Sequence, residues 1–345
     1  MELLTIPALK RAVQAAPART EARVHAQVQG LTEKQTRDGK PFWELVLADA
    51  EAKLTLRAWN DSPNFSVCSE LPPGEFLEVQ GEFVLHPAFG LDARQWSCRV
   101  LDAAEIEHLL GGPEPLREKQ AYDYETITGL VATIGDPRLR GVCELFLADF
   151  GDRFRRAAAA RTFHHARRGG LVEHVAQMMR AADALAGVYP ALNRDLLLAG
   201  TLFHDIGKLW ENCPEPRGFG IPHDERGELI GHITLGVEMF NALWRKLLAT
   251  ESAQEWRELA PANEDVRNHL IHLIAAHHGE MEFGSPVYPK TPEAFALHYI
   301  DNLDAKLEMV FAGYQSGAPL APRIVERVRP LPGNLVQPLA RFAGG

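Results

Sequence analysis

The chain has 345 residues, 46% hydrophobic and 24% charged, with a formal net charge of −10. This is ordinary globular composition, long enough for two domains that each bury a core without staples. The acidic balance argues against a passive nucleic-acid coat, whose affinity rests on neutralising phosphates, and leaves room for an enzyme that grips nucleic acid in one local groove. Cys68, Cys98, Cys143 and Cys213 are far apart and form no CxxC pair, so a disulfide framework and a thiolate zinc site are not expected and a reducing compartment fits. The opening MELLTIPALKRAVQ lacks a basic start followed by a long apolar core, so no signal peptide is expected. No apolar run reaches the ~18 residues of a membrane span. A cytoplasmic protein with no membrane partner is the expectation.

Residues 1–19 suggest a helix or arm packed outside the strand-rich segment that comes next. Residues 20–103 read as strands: Ala22–Val28, Phe42–Ala48, Lys53–Trp59 with its alternating K-L-T-L-R-A-W, Glu75–Val84 and Ala93–Leu101. Turn residues separate them at Asp38-Gly39, Asp49, Pro72-Pro73-Gly74 and Pro87. Five short strands with turn signals predict a small all-β barrel, most economically an OB-fold. Residues 104–123 read as a linker, with a short helix near Asp102–Leu110 ended by Gly111-Gly112-Pro113. Over 124–315 apolar residues recur at three- and four-residue spacing, which predicts an all-α domain with no βαβ alternation. The proline-rich residues 316–345 read as an extended tail.

Most of the 14 histidines lie in the helical half, beside carboxylates. His204-Asp205 ends an apolar helix in L-F-H-D-I-G-K-L. Burying an imidazole and a carboxylate together is costly unless a cation compensates. Nitrogen and oxygen donors without sulfur suit Mn²⁺, Fe²⁺, Co²⁺, Ni²⁺ or Zn²⁺. His25, His86 and His108 read as ordinary surface or core residues.

His174, His204-Asp205 and Asp301 resemble the H…HD…D signature of HD-domain metal phosphohydrolases. The resemblance spans about 160–312. It implies that these four residues ligate one ion, that Asp205 bridges to a second, and that His232, His277 and His278 supply the later ligands; Mn²⁺ is the favoured ion, one or two per chain. The stretches G-G-L-V-E-H (169–174), F-H-D-I-G-K-L-W-E (203–211), D-E-R-G-E-L-I-G-H-I-T-L-G (224–236), A-H-H-G-E-M-E-F-G-S-P (276–286) and A-L-H-Y-I-D-N-L-D-A-K (296–306) are similar to the bacterial exoribonucleases of the YhaM type. Those join an OB-fold to an HD domain and degrade RNA and single-stranded DNA from the 3′ end.

Bound cations would lower the pKa of water and clamp a phosphate oxygen, with Asp205 as the bridging carboxylate. Lys208, one turn after His204, is either a solvated lysine or a group that stabilises charge on phosphorus; the resemblance favours the second. Gly207 would let substrate approach. Asp304, at i+3 from Asp301, is expected behind the ligands, paired with a histidine. Arg153 to Arg156, Arg161, His164, His165, Arg167 and Arg168 form the one strongly basic stretch, read as a phosphate track, with His164 and His165 on phosphate rather than metal. The loop 279–290 reads as a substrate-binding edge. In the barrel Trp43 and Trp59, with Phe42 and Phe89, are candidates to stack on bases, although aromatics at strand spacing are more often core. The expected reaction is 3′-to-5′ hydrolysis of RNA or single-stranded DNA. The alternatives are a small nucleotide or cyclic-dinucleotide substrate, and a non-catalytic nucleic-acid-binding module. A homo-oligomer is left open.

Overall fold

The computed structural model describes residues 1–15, 19–86, 90–162 and 165–340; Pro87, Phe89 and His164 lie outside the described residues. The chain divides into two compact units, Met1–Ala121 with Pro214–Pro222, and Tyr122–Cys213 with His223–Gly345.

The first unit begins with β1 (Glu2–Leu3) and α1 (Ile6–Ala15). Then come β2 (Thr20–Gln35), β3 (Pro41–Ala48), β4 (Lys53–Trp59), α2 (Asn64–Glu70), β5 (Phe76–His86) and β6 (Gly90–Val100). The long strands pair antiparallel in the order β4-β3-β2-β5-β6. Strand β6 returns against β4, where Trp96 Nε1 donates to the Arg57 carbonyl at 3.3 Å. That closure, with a helix between the third and fourth long strands, is an OB-fold. Alternation does the sorting: Leu54, Leu56 and Ala58 of β4 are buried while Lys53, Thr55, Arg57 and Trp59 face the other way. Strand β2 pairs with both β3 and β5, and a bulge between Val28 and Gly30 bends it. Ile6, Leu9 and Val13 of α1 join the barrel core of Val24, Leu45, Leu77, Val79 and Phe83.

A capping box between Asp102 and Glu105 starts α3 (Ala103–Gly111). The residues expected as a linker are helical: α3 is followed at once by α4 (Glu114–Ala132). The Gly111–Pro115 signal marks a junction between two helices, because proline is favoured in a helix's first turn. The segment 214–222 belongs to the barrel unit rather than to the helical half. Its Phe219 is buried with Ala48, Ala50, Phe76, Leu101 and Leu110, and its backbone N–H donates to Gln27 Oε1 at 2.8 Å.

The second unit continues with α5 (Pro137–Phe154), α6 (Gly170–Val188), α7 (Arg194–Phe203), α8 (Lys208–Glu211), α9 (Glu225–Ile230), α10 (His232–Leu248), α11 (Asn263–Ala276) and α12 (Pro292–Ser316). Side chains of Asp136, Asn193, Asp224 and Thr291 cap α5, α7, α9 and α12. The core gathers Phe146, Phe154, Phe203, Phe240, Leu273 and Leu297. The tail does not run as an extended arm. Strands β7 (Pro319–Ala321), β8 (Ile324–Val325) and β9 (Leu335–Val336) form a small antiparallel sheet, and Tyr314 of α12 donates its hydroxyl to the Val336 carbonyl at 3.0 Å. Among the described residues no helix is long and apolar enough to cross a membrane.

Candidate metal centre

Two buried helices end side by side. Residues 196–203 of α7 are all buried, and a Cβ at Gly200 would collide with Leu273 of α11. The missing side chain lets the two helices touch, so their ends, His204 and His277, meet at a ring-centroid distance of 5.0 Å. Helix α6 brings His174 against His204, α10 begins with His232, and α12 crosses with Asp301 and Asp304.

Five imidazoles are held the same way. His174 Nδ1 lies 2.7 Å from Asp304 Oδ2, and His204 Nδ1 2.7 Å from the Thr201 carbonyl. His277 Nδ1 lies 2.7 Å from the Ile274 carbonyl and His278 Nδ1 2.6 Å from that of Phe283. His232 Nδ1 is 3.2 Å from Glu211 Oε2. Carbonyl and ionised carboxylate oxygens only accept, so each Nδ1 carries the proton and each Nε2 keeps a lone pair.

Those lone pairs converge on two carboxylates. His174 Nε2 is 3.3 Å from His204 Nε2, 3.6 Å from Asp205 Oδ2 and 3.4 Å from Asp301 Oδ1. His204 Nε2 is 3.3 Å from Asp205 Oδ2. On the other oxygen, His232 Nε2 and His277 Nε2 each stand 3.6 Å from Asp205 Oδ1. Donors around a cation bonded at about 2.0–2.2 Å sit about 3.0–3.5 Å apart, close to this spacing. Asp205 Oδ1, His232 Nε2 and His277 Nε2 are buried with no hydrogen-bond partner, a cost that a divalent cation would remove. Two candidate ligand groups result, His174-His204-Asp205 and His232-His277-His278, with Asp205 between them. The residues fit the metal.

The electrostatics show where positive charge is wanted. Burial disfavours charge on His174, but Asp301 and Asp304 overcome it and push its pKa up to about 9, so the place a cation would take on Nε2 is one that otherwise draws a proton. Burial would raise Asp205 and Asp301. For Asp205, Lys208 and His204 more than offset it, and for Asp301, His174 and His204 do, so both stay well below the ordinary carboxylate range. Burial, with His277 and His232 beside it, drops His278 to about 3, which leaves it neutral as a ligand must be.

Lys208 Nζ reaches Asp205 Oδ2 at 2.6 Å, so it is a site residue rather than a solvated one. Asp304 stands behind His174 as expected. Other expectations give way. His165 is buried and its Nε2 lies 3.1 Å from Asp304 Oδ2; it braces that carboxylate and is closed off from the surface. Arg167 is taken by Glu173 and Glu308, because buried Glu173 needs a counter-charge. Arg153 donates to the Leu209 carbonyl and lies over Trp210, and Arg155 lies over Tyr124. Of the basic track, Arg161 lines an open cleft of about 440 Å³ with Lys208, Glu211, His232 and His278, while Arg168 is half-exposed. A Cβ on Gly207 would strike the His232 carbonyl; the close approach it permits is that of α10, not of substrate. In the barrel, Trp43 is half-buried against the core and packs on Phe65, with Nε1 buried and unpartnered. Trp59 is half-buried against Phe42 at 4.8 Å. Sequence reasoning missed Glu211, whose one signal was its position in the F-H-D-I-G-K-L-W-E stretch.

The HD domain family matches residues 171–306. The chain is 31% identical over 292 residues to the 3′-5′ exoribonuclease YhaM of Geobacillus sp. (strain WCH70), covering 83% of each chain. It is 31% identical over 298 residues to the YhaM of Bacillus subtilis (strain 168), covering 85% of this chain and 84% of that one. With an OB-fold in front of a helical HD domain and this extent of identity, the chain belongs to the YhaM family of HD-domain hydrolases.

Proposed function

We propose that this protein is a metal-dependent 3′-to-5′ exonuclease that degrades RNA, and single-stranded DNA, to nucleoside monophosphates. The observation that carries the reading is the convergence of histidine Nε2 atoms on Asp205 and Asp301, with buried donor atoms left unpartnered. The relatives named 3′-5′ exoribonuclease support the direction and the polymer.

Divalent ions held there, Mn²⁺ the favoured pair, supply activation of water and polarisation of a phosphoryl oxygen. His174, His204 and Asp301 would hold one, His232, His277 and His278 the other, and Asp205 both. Lys208 sits where it can transfer its charge from Asp205 to a non-bridging phosphate oxygen as negative charge builds there. Arg161, held by a bond to the Glu211 carbonyl at 2.7 Å, would seat an adjoining phosphate, and Arg168 is the second candidate from that stretch. Trp59 and Phe42 offer the barrel's surface for stacking on the bound strand. Four free cysteines fit a cytoplasmic enzyme.

The test is a 5′-labelled single-stranded RNA incubated with the protein and Mn²⁺. Stepwise shortening from the 3′ end is expected, abolished by the double substitution His204→Ala, Asp205→Ala. An uncut RNA, or shortening that survives the double substitution, overturns the reading.

A further inference from the structure

We propose that the outward face of α12 seats a second copy of this chain, the two helices packed about a dyad at Leu303. The inner face of α12 is committed: Ala294, Leu297 and Ile300 are buried in the core, and Asp301 and Asp304 face the metal centre. Its outer face carries Phe295, Tyr299, Leu303, Leu307 and Phe311, exposed by 49%, 64%, 57%, 45% and 53%. Their spacing of four residues makes them one ridge of the helix, about 24 Å long. Exposed surface is normally where a chain with 24% charged residues places its charge. Among the described residues of α12, the one charged side chain in the exposed class is Lys306.

The ridge is self-complementary. Read from either end it runs aromatic, large, leucine, large, aromatic. About a dyad at Leu303, the middle of each ridge lies beside its own reverse: Leu303 meets Leu303 and Tyr299 meets Leu307, while Phe295 and Phe311, each turned about 80° round the helix from Leu303, flank the contact on either side. This is the isologous contact that a twofold requires, and ridges of this spacing pack into one another's grooves. The two Lys306 fall on opposite sides of the dyad, about 9 Å apart along the axis, so like charges do not face each other.

The area suffices. A fully buried aromatic removes about 150–250 Å² from water, so five half-exposed side chains of this size present about 500 Å² per copy. Two copies together present about 1,000 Å², the size a specific interface has to clear, and the largest apolar patch on a chain is often functional. A single cation beside the ridge is too little for a phosphate backbone. It also lacks the basic rim of a helix that lies on anionic lipid. A second copy is the occupant these features favour.

Molecular mass is the readout, and it is independent of catalysis. Sedimentation equilibrium of the full chain at micromolar concentration should give twice 38.3 kDa. The variant Leu303→Glu, Leu307→Glu should halve that mass with its helical circular dichroism unchanged. Separately, Leu303→Cys, which adds no charge, should form a covalent dimer under mild oxidation that reductant dissolves. A wild-type mass of one chain overturns the proposal. So does a doubled mass that the glutamate variant keeps, or a dimer in which Cys at 303 fails to cross-link. If the wild-type chain stays single and the glutamate variant instead loses binding to single-stranded RNA or to anionic vesicles, the face belongs to that partner and the dimer is rejected.

Discussion

Glu211 grips His232 at two atoms: its Oε1 accepts from the His232 backbone N–H at 2.6 Å, and its Oε2 lies 3.2 Å from the ring Nδ1. One carboxylate therefore fixes both where α10 begins and how its first imidazole is turned. Burial would raise the Glu211 pKa, but the bonds to His232 overcome it and hold it low. Glu211→Gln keeps the shape and removes the charge. We expect the metal position built from His232, His277 and His278 to lose 10–100-fold in affinity, while the position at His174 and His204 is retained. Metal analysis after dialysis against limiting Mn²⁺ should show the ratio per chain falling from two toward one. Retention of both ions would remove Glu211 from the centre.

Asp304 performs the matching task on the other side, accepting from His174 at 2.7 Å and lying 3.1 Å from His165. Asp304→Asn should weaken the His174 position by 10–100-fold. His165→Gln, one step further out, should weaken it less. Calorimetric titration with Mn²⁺ ranks the three proteins, and the reverse order would contradict this chain of support.

Lys208→Met preserves the aliphatic stem that packs in the site and deletes the ammonium. If that charge acts on the transition state, kcat falls by about 10²–10³ with KM little changed and metal content intact. A rise in KM at constant kcat would instead place Lys208 in ground-state binding.

Arg138 is fully buried and salt-bridged to Asp136 at 2.7 Å, away from the metal centre. Burial would raise the Asp136 pKa, but Arg138 and the backbone N–H groups of Leu139 and Arg138 lower it. A folded-state pKa below the unfolded value of about 3.9 means that the stabilisation is whole above that value and disappears as pH falls through the folded pKa. Asp136→Asn strands a buried charge, an error that costs about 3–5 kcal/mol when nothing else compensates. Arg138 keeps its bonds to Pro261 and Asn263, so a smaller loss, about 2 kcal/mol, is expected at neutral pH. Urea unfolding should show the gap narrowing below about pH 4. A gap that widens in acid would show the sign to be wrong.

Much of this was legible in one dimension. The alternation of β4 and the three- and four-residue spacing of the helices fixed barrel and bundle, since each element's periodicity is the imprint of the one face it buries. His204-Asp205 could be picked out because buried imidazole beside carboxylate is too costly to tolerate without a reason, whereas His174 and Asp301 were legible only through the resemblance to the HD signature. The basic stretch misled because composition shows charge but not its partner. Arg167 and His165 look like phosphate ligands until Glu173, Glu308 and Asp304 are found beside them.

Sequence by itself determined which residue types were on hand and which local elements would form, because both depend on neighbours a few positions away. The tertiary structure alone decided which Nε2 atoms share a point, that Glu211 orients His232 and that His174 is the histidine Asp304 serves, that Gly207 makes room for His232 rather than for substrate, and that residues 214–222 pack with the barrel. These are contacts across tens to hundreds of residues, and chain periodicity carries no record of a partner that distant.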